Sequence, residues 1–357
     1  MANNSQSLSD EKMDAREAGF SLSWLDQLQE NLRRSLPDMD GNAEGLPELS
    51  DNLTGRVHGA IPRPGIPQIG AYAFRTKREV WGYNLRKLYE EAVARQWSSA
   101  TDVPWDTLEP LPDDLEAAEC QLATFFNEVE FVAADIPSRF IANMSPDYMD
   151  VRQFLLTQVM DESRHMEVFR KRALANGGGL MRRVDTSTGV VGGATDNARD
   201  FTEMSTRLHV SGEGAVLTLF RLGELMAYNE AEKTIYRRAA QDEARHVAFG
   251  ILHLKYMNAT CPERREEIHT YLDEAETRQA TGAGGENPAG SNALTSSALA
   301  VLLGGGKNKV DEGQKLLLAV RRRQVKEYFQ RLKSAGYDER IHNGRVNPAL
   351  LAAVKNA

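Results

Sequence analysis

Asp161-Glu162-Ser163-Arg164-His165 and Asp242-Glu243-Ala244-Arg245-His246 share the pattern Asp-Glu-x-Arg-His and lie 81 positions apart. Each string holds a Glu-x-x-His pair. Residues three apart on a helix share a face, one turn from each other, so each string aims a carboxylate and an imidazole at one point. Carboxylate oxygens hold and bridge divalent cations, and imidazole nitrogens complete each coordination sphere. Two such helices facing one another supply most of the ligands of a dinuclear metal site, and two further helices of a four-helix bundle each add a carboxylate. One Glu-x-x-His pair arises easily by chance. The longer string, repeated within helical patterning, is poorly explained as solvent-facing charge.

The two remaining carboxylates must come from helices that carry no such string. Glu213 shares a helix face with Val216, Leu217, Phe220 and Ala227. A carboxylate on an apolar face is costly unless it is paired or bound to metal. Gly212 and Gly214 flank it and allow close approach. Glu224 falls near the same face three turns on, which suits a channel or an outer group better than a ligand. On the first bundle helix the apolar face is Leu122, Phe125, Phe126, Val129, Ala133 and Ile136. Glu130 borders this face, whereas Glu128 falls with Gln121, Thr124 and Asp135. Glu130 is therefore preferred, with Glu128 the alternative. The candidate metal ligands are Glu130, Glu162, His165, Glu213, Glu243 and His246, with no catalytic residue beyond them. Asp161 and Asp242 could accept the second ring N–H of the histidines across the helix pair. Arg164 and Arg245 would balance the acidic cluster or pair with those aspartates.

Helices long enough to carry these residues are readable from caps and periodicity. The first bundle helix spans about 114–136 and should end or kink at Pro137. The second starts with Ser145 as cap and Pro146 at the first position, and stops at Asn176-Gly177. The third starts near Asp200, with Glu203 at capping-box spacing, and the fourth near Asn229, with Glu232 likewise. Short loops join helices one and two, and three and four. A Gly/Thr-rich crossover, 177–199, joins the two hairpins. The expected fold is all-α: a ferritin-like four-helix bundle with additional N- and C-terminal helices. Residues 1–112 would form an N-terminal arm and helix on the core, with an amphipathic piece at 23–35, an irregular arm at 63–67 and helical patterning over 77–96. Residues 113–258 would form the bundle. Residues 259–357 would form C-terminal helices, one opening near Cys261-Pro262 and one over 310–334, around a flexible Gly/Ala/Ser-rich loop at about 280–308.

Composition narrows the function classes. The chain has 357 residues, 41% hydrophobic and 26% charged, as expected of one or two globular domains. Its net charge of -8 argues against broad nucleic-acid binding. The short basic runs Arg170-Lys171-Arg172 and Arg321-Arg322-Arg323 read as solvated helix faces. Residues 298–303 are too short an apolar run to cross a bilayer, and Met1–Ser5 shows no apolar signal core. Cys120 and Cys261 read as reduced thiols of a cytoplasmic protein. Gly304-Gly305-Gly306-Lys307 lacks the Ser/Thr and the preceding strand of a phosphate loop.

Over about residues 114–257 the chain resembles the ferritin-like diiron-carboxylate superfamily, which includes bacterial monooxygenase hydroxylases, ribonucleotide reductase small subunits and related oxidases. Its paired Asp-Glu-x-Arg-His strings look most like the hydroxylase type, and Glu213-Gly214 looks like the third-helix ligand. The resemblance implies a non-haem diiron oxygenase that activates O2 at two Fe ions, or at Mn or mixed Mn/Fe, to oxidise a small or medium organic substrate. The alternative is a ligand-binding diiron or Mn/Fe oxidase, or an iron-binding protein without external turnover. Phe169 stands where radical-generating subunits carry a tyrosine, and Ala239 where aryl-amine N-oxygenases carry an extra histidine. Both turn the reading away from those groups. The expected partners are O2, an organic substrate, an electron-donor protein (reductase or ferredoxin) and a second copy in a homodimer, with no nucleic acid and no membrane. Phe125, Phe126, Phe169 and Phe220 could wall a substrate cavity or be plain core, and Trp97 and Trp105 could cover its mouth.

Overall fold

A helix opens where a side-chain oxygen satisfies a free backbone N–H, and three of the bundle's starts show this. Ser145 Oγ accepts from Asp147 N at the short 3-10 turn Pro146–Tyr148 that leads into the second bundle helix, Asp200 accepts from Glu203 N at 2.8 Å and Asn229 from Glu232 N at 2.9 Å. The computed structural model describes residues 45–355 apart from 59, 61–63, 71, 183–196 and 285–290. The amphipathic piece at 23–35, Arg63 of the irregular arm and most of the crossover lie outside the described residues. After a single helical turn at Lys77–Val80 come α1 (Leu85–Ala94), α2 (Asp113–Asn143) and α3 (Met149–Leu174). The next helix, α4, has three parts: Phe201–Ser205, a π-helical stretch Thr206–Glu213 and Gly214–Met226. Then follow α5 (Glu230–Thr260), α6 (Arg265–Gly284), α7 (Ser291–Gly304), α8 (Val310–Ala335) and α9 (Pro348–Lys355). Among the described residues no strand forms, only the isolated bridges Leu49–Thr76 and Phe74–Met144.

Helices α2 and α3 pack as one hairpin and α4 and α5 as the other, with the long 175–200 connection between them. This is the expected ferritin-like bundle with added helices. Leu46–Ala357 form one compact unit. Two apolar clusters fill the bundle. One gathers Leu122, Phe126, Phe169, Phe220 and Tyr236 with Leu299 and Leu302 of α7. The other gathers Ile136, Phe154, Phe201 and Phe249 with Trp81 and Leu85. Glu130 falls between Val129 of the first cluster and Ala133 of the second, and Glu162 and His165 fall between Leu155 and Val168. The candidate metal ligands thus occupy a polar layer between two apolar ones.

Four expectations need correction. Helix α2 does not end at Pro137 but runs on to Asn143. Ile136 and Ile141, on either side of the proline, are buried in the same cluster, and that packing offsets the lost hydrogen bond. The patterning over 77–96 is broken at 81–84: the Trp81 carbonyl accepts from His253 Nδ1 at 2.7 Å, and Asn84 adopts a left-handed φ of 57°. Much of the segment expected to be flexible at 280–308 is α7. Its Ala298, Leu299, Ala300 and Leu302 are buried, and Gly313 of α8 lets the two backbones meet, since a Cβ there would lie 1.8 Å from Ala300 O. Arg172, read as part of a solvated face, is 1% exposed. It donates at 2.7 Å to Glu116 of α2 and to Glu232 of α5.

Candidate metal centre

All six candidate ligands are buried and converge from four helices. Two groups form, Glu130, Glu162, His165 and Glu243, and Glu162, Glu213, Glu243 and His246. In each, one ligand atom per residue lies within 4.8 Å of the others. Glu162 and Glu243 belong to both groups. His165 Nδ1 lies 3.1 Å from Glu162 Oε2, 3.6 Å from Glu243 Oε1 and 3.9 Å from Glu130 Oε2. His246 Nδ1 lies 3.0 Å from Glu162 Oε1, without the alignment of a hydrogen bond, and 3.7 Å from Glu243 Oε2. Glu130 of the competing pair thus faces the centre.

Six atoms turned toward this layer are buried with no hydrogen-bond partner: Glu130 Oε1, Glu162 Oε1, Glu213 Oε2, both Glu243 oxygens and His246 Nδ1. An unsatisfied buried polar atom costs about 1–3 kcal/mol, so leaving all six unmet is untenable for a stable fold. The donor set suits two divalent cations, whose four positive charges match four carboxylates, with one imidazole for each ion. Burial pushes Glu130 well above the usual carboxylate range, and the Glu162 charge adds to that. Burial also raises Glu213, helped by Glu243. Burial would raise Glu162 as well, but the His165 and His246 imidazoles beside it hold it below the usual range. Both histidines resist their desolvation. Asp242, then Glu130, raises His165, and Asp161, then Glu162, raises His246.

The far side of each imidazole is tied across the bundle. His165 Nε2 on α3 donates to Asp242 Oδ2 on α5 at 3.2 Å, and His246 Nε2 on α5 donates to Asp161 Oδ2 on α3 at 3.3 Å. This fixes both Nδ1 atoms toward the carboxylates. Arg164 and Arg245 each donate to both aspartates, closing a ring of two cations and two anions. The segment after α1 completes it. Trp97 Nε1 donates to Asp242 Oδ2 at 2.7 Å, Gln96 Nε2 donates to Asp161 Oδ1 at 3.4 Å, and Arg164 lies over the Trp97 ring.

Other expected residues fall elsewhere. Glu224 pairs with Arg237 at 2.7 Å at the half-exposed rim. Phe126, Phe169 and Phe220 pack against one another with ring centroids 4.8–5.3 Å apart, as core. Trp105 donates to the Ser99 carbonyl. Lys307, in the glycine run, donates its backbone N–H to Asp114. Gln158 is a residue sequence reasoning missed: its Nε2 donates to Glu213 Oε1 at 2.7 Å. Four residues before Glu162 on one helix face, it was within reach of a spacing argument.

No family model matches the chain, and no curated protein does. Solved structures do, and they place it in the ferritin-like helical fold. One is a tyrosine-to-phenylalanine mutant of an R2-like ligand-binding oxidase with an anaerobically reconstituted Mn/Fe cofactor. It is 18% identical, with a TM-score of 0.54, over 71% of this chain and 94% of that one. Another is an R2-like ligand-binding oxidase with an aerobically reconstituted Mn/Fe cofactor, 18% identical with a TM-score of 0.52, over 71% and 93%. A valine-to-leucine mutant with the same cofactor is 20% identical with a TM-score of 0.53.

Proposed function

We propose that the chain is an O2-dependent non-haem dimetal oxidase that oxidises a small or medium organic substrate. The observation that carries this reading is the pair of buried four-residue groups sharing Glu162 and Glu243. Glu130 and His165 would hold one ion, Glu213 and His246 the other, with Glu162 and Glu243 between them. Two Fe ions, or Mn or mixed Mn/Fe, suit this oxygen-rich set with one nitrogen each. When bound, such a pair supplies two-electron chemistry toward O2, with electrons returned by a donor protein. The protein's part is positional. Asp242 and Asp161 keep the imidazole Nδ1 atoms aimed inward, and the flanking apolar clusters keep water from the layer.

The test is metal content followed by O2 uptake. Purified protein reconstituted with Fe(II) should bind two ions per chain and consume O2 once reduced. A Glu162→Ala, Glu243→Ala double variant should bind neither, and a double variant that still holds two ions would refute the reading. The likeness in fold to R2-like ligand-binding oxidases supports a second reading, in which the centre oxidises a bound apolar ligand and turns over no external substrate. Solvent extraction and mass spectrometry of the purified protein distinguish the two. A stoichiometric lipid-like molecule, with no O2 uptake across a substrate panel, favours the second.

A further inference from the structure

Gln158 sits on α3 one turn before Glu162, and His209 sits in the π-helical stretch of α4 four residues before Glu213. Both are 0% exposed. Gln158 Nε2 donates to Glu213 Oε1 at 2.7 Å. Its other amide atom, Oε1, accepts from His209 Nε2 at 3.1 Å. His209 Nδ1 in turn accepts from Ser205 Oγ at 2.9 Å. The directions follow from chemistry. A metal-bound carboxylate only accepts, so the Gln158 amide must present its NH2 to Glu213 and its oxygen to His209. His209 must then carry its proton on Nε2, leaving Nδ1 to the serine hydroxyl. The chain Ser205, His209, Gln158, Glu213 therefore donates in one direction and ends on one oxygen of a candidate ligand, while Glu213 Oε2 has no partner.

The backbone is built for this chain. Residues four apart on this π-helical stretch lie about one turn from each other on the same face. His209 and Glu213 thus both reach Gln158. Space for the bulge comes from Gly250 on α5, where a Cβ would lie 2.5 Å from His209 Cβ. Arg331 of α8 holds the bulge from outside, with Nε donating to the Val210 carbonyl at 2.8 Å and Nη1 to the Gly214 carbonyl at 3.2 Å.

We propose that Gln158 and His209 are positioning residues that pin Glu213 Oε1, so that Glu213 binds metal through Oε2 alone and does not swing to chelate or bridge. This rests on the dimetal reading above. The two shared carboxylates, Glu162 and Glu243, are then the ones left free to change their mode of binding.

The test uses the full chain loaded with Mn(II), read by equilibrium binding and by the infrared separation of the carboxylate stretches. That separation is wide for one-oxygen and narrow for two-oxygen binding. Wild type should bind two ions, and failure to do so overturns the dimetal reading and this inference together. Given two ions, Gln158→Leu should weaken one of them about 10–100-fold and narrow the separation of one carboxylate. His209→Leu, which touches no ligand, should do the same to a lesser degree, because Gln158 Oε1 loses the donor that holds its amide in place. His209→Gln, which restores an N–H near the same place, should recover both readouts. Unchanged affinity and spectrum in both leucine variants would overturn the inference alone. A fall in melting temperature without those changes would do so too. If the leucine variants do not fold, Gln158→Asn, one methylene too short to span both partners, replaces them with the same expected outcome.

Discussion

Asp161 and Asp242 each serve the histidine of the opposite string, and each also receives both Arg164 and Arg245. Removing one aspartate should therefore free one imidazole and leave the two arginines short of an anion. Asp242→Ala should weaken Fe(II) or Mn(II) binding about 10–100-fold by titration, with Asp161→Ala close behind. Arg164→Met should cost about 3 kcal/mol in chemical denaturation, the low end for breaking a buried pair, because Arg245 still reaches both aspartates. The strings and Glu213 were legible because helical spacing is local and a carboxylate on an apolar face is conspicuous. Glu130 could be preferred but not settled against Glu128 by face angle alone. Gln158 and His209 lay at readable spacings, but an uncharged amide and a lone histidine raise no such alarm. Gln96 and Trp97 reach the centre from another element, and no periodicity links them to it.

At the scale of elements, caps predicted the starts of α4 and α5 and, through the 3-10 turn Pro146–Tyr148, the approach to α3, because capping is a contest between neighbouring atoms. The π-helical stretch of α4 was not legible. Its register depends on Gly250 of α5 and Arg331 of α8, residues 37 or more positions beyond its last residue. Gly250→Ala tests that dependence. The new methyl meets His209 Cβ, so the variant should lose about 1–3 kcal/mol in denaturant unfolding, whereas an alanine at an exposed helical glycine would gain stability. Helix α7 escaped for a different reason. Its Gly- and Ser-rich surroundings read as loop, but alanine favours helix and the run 298–303 buries against the bundle. Pro137 shows the same lesson reversed, a local breaker overruled by packing on both sides.

For the whole molecule, acid sensitivity follows from a buried histidine away from the centre. His253 is fully buried, its Nδ1 donating to the Trp81 carbonyl and its Nε2 accepting from Thr202. Burial is the main cause that lowers it to about 4. The fold thus prefers the neutral ring. This stabilisation is fully present above the unfolded value, about 6.5, and is lost as pH falls toward the folded value, up to roughly 3 kcal/mol in all. Unfolding free energies of wild type and His253→Gln should converge between pH 6.5 and 4, the wild type falling faster. Parallel curves would show that His253 does not titrate on unfolding.

The crossed wiring of the two strings also bears on assembly. Each group of four ligands draws on both hairpins: Glu162 and His165 need Glu243, and Glu243 and His246 need Glu162. Neither hairpin, folded alone, contains a whole ion site, and neither has the aspartate that orients its own imidazole. On the dimetal reading proposed above, a whole ion site would form only after the second hairpin has been synthesised and has docked.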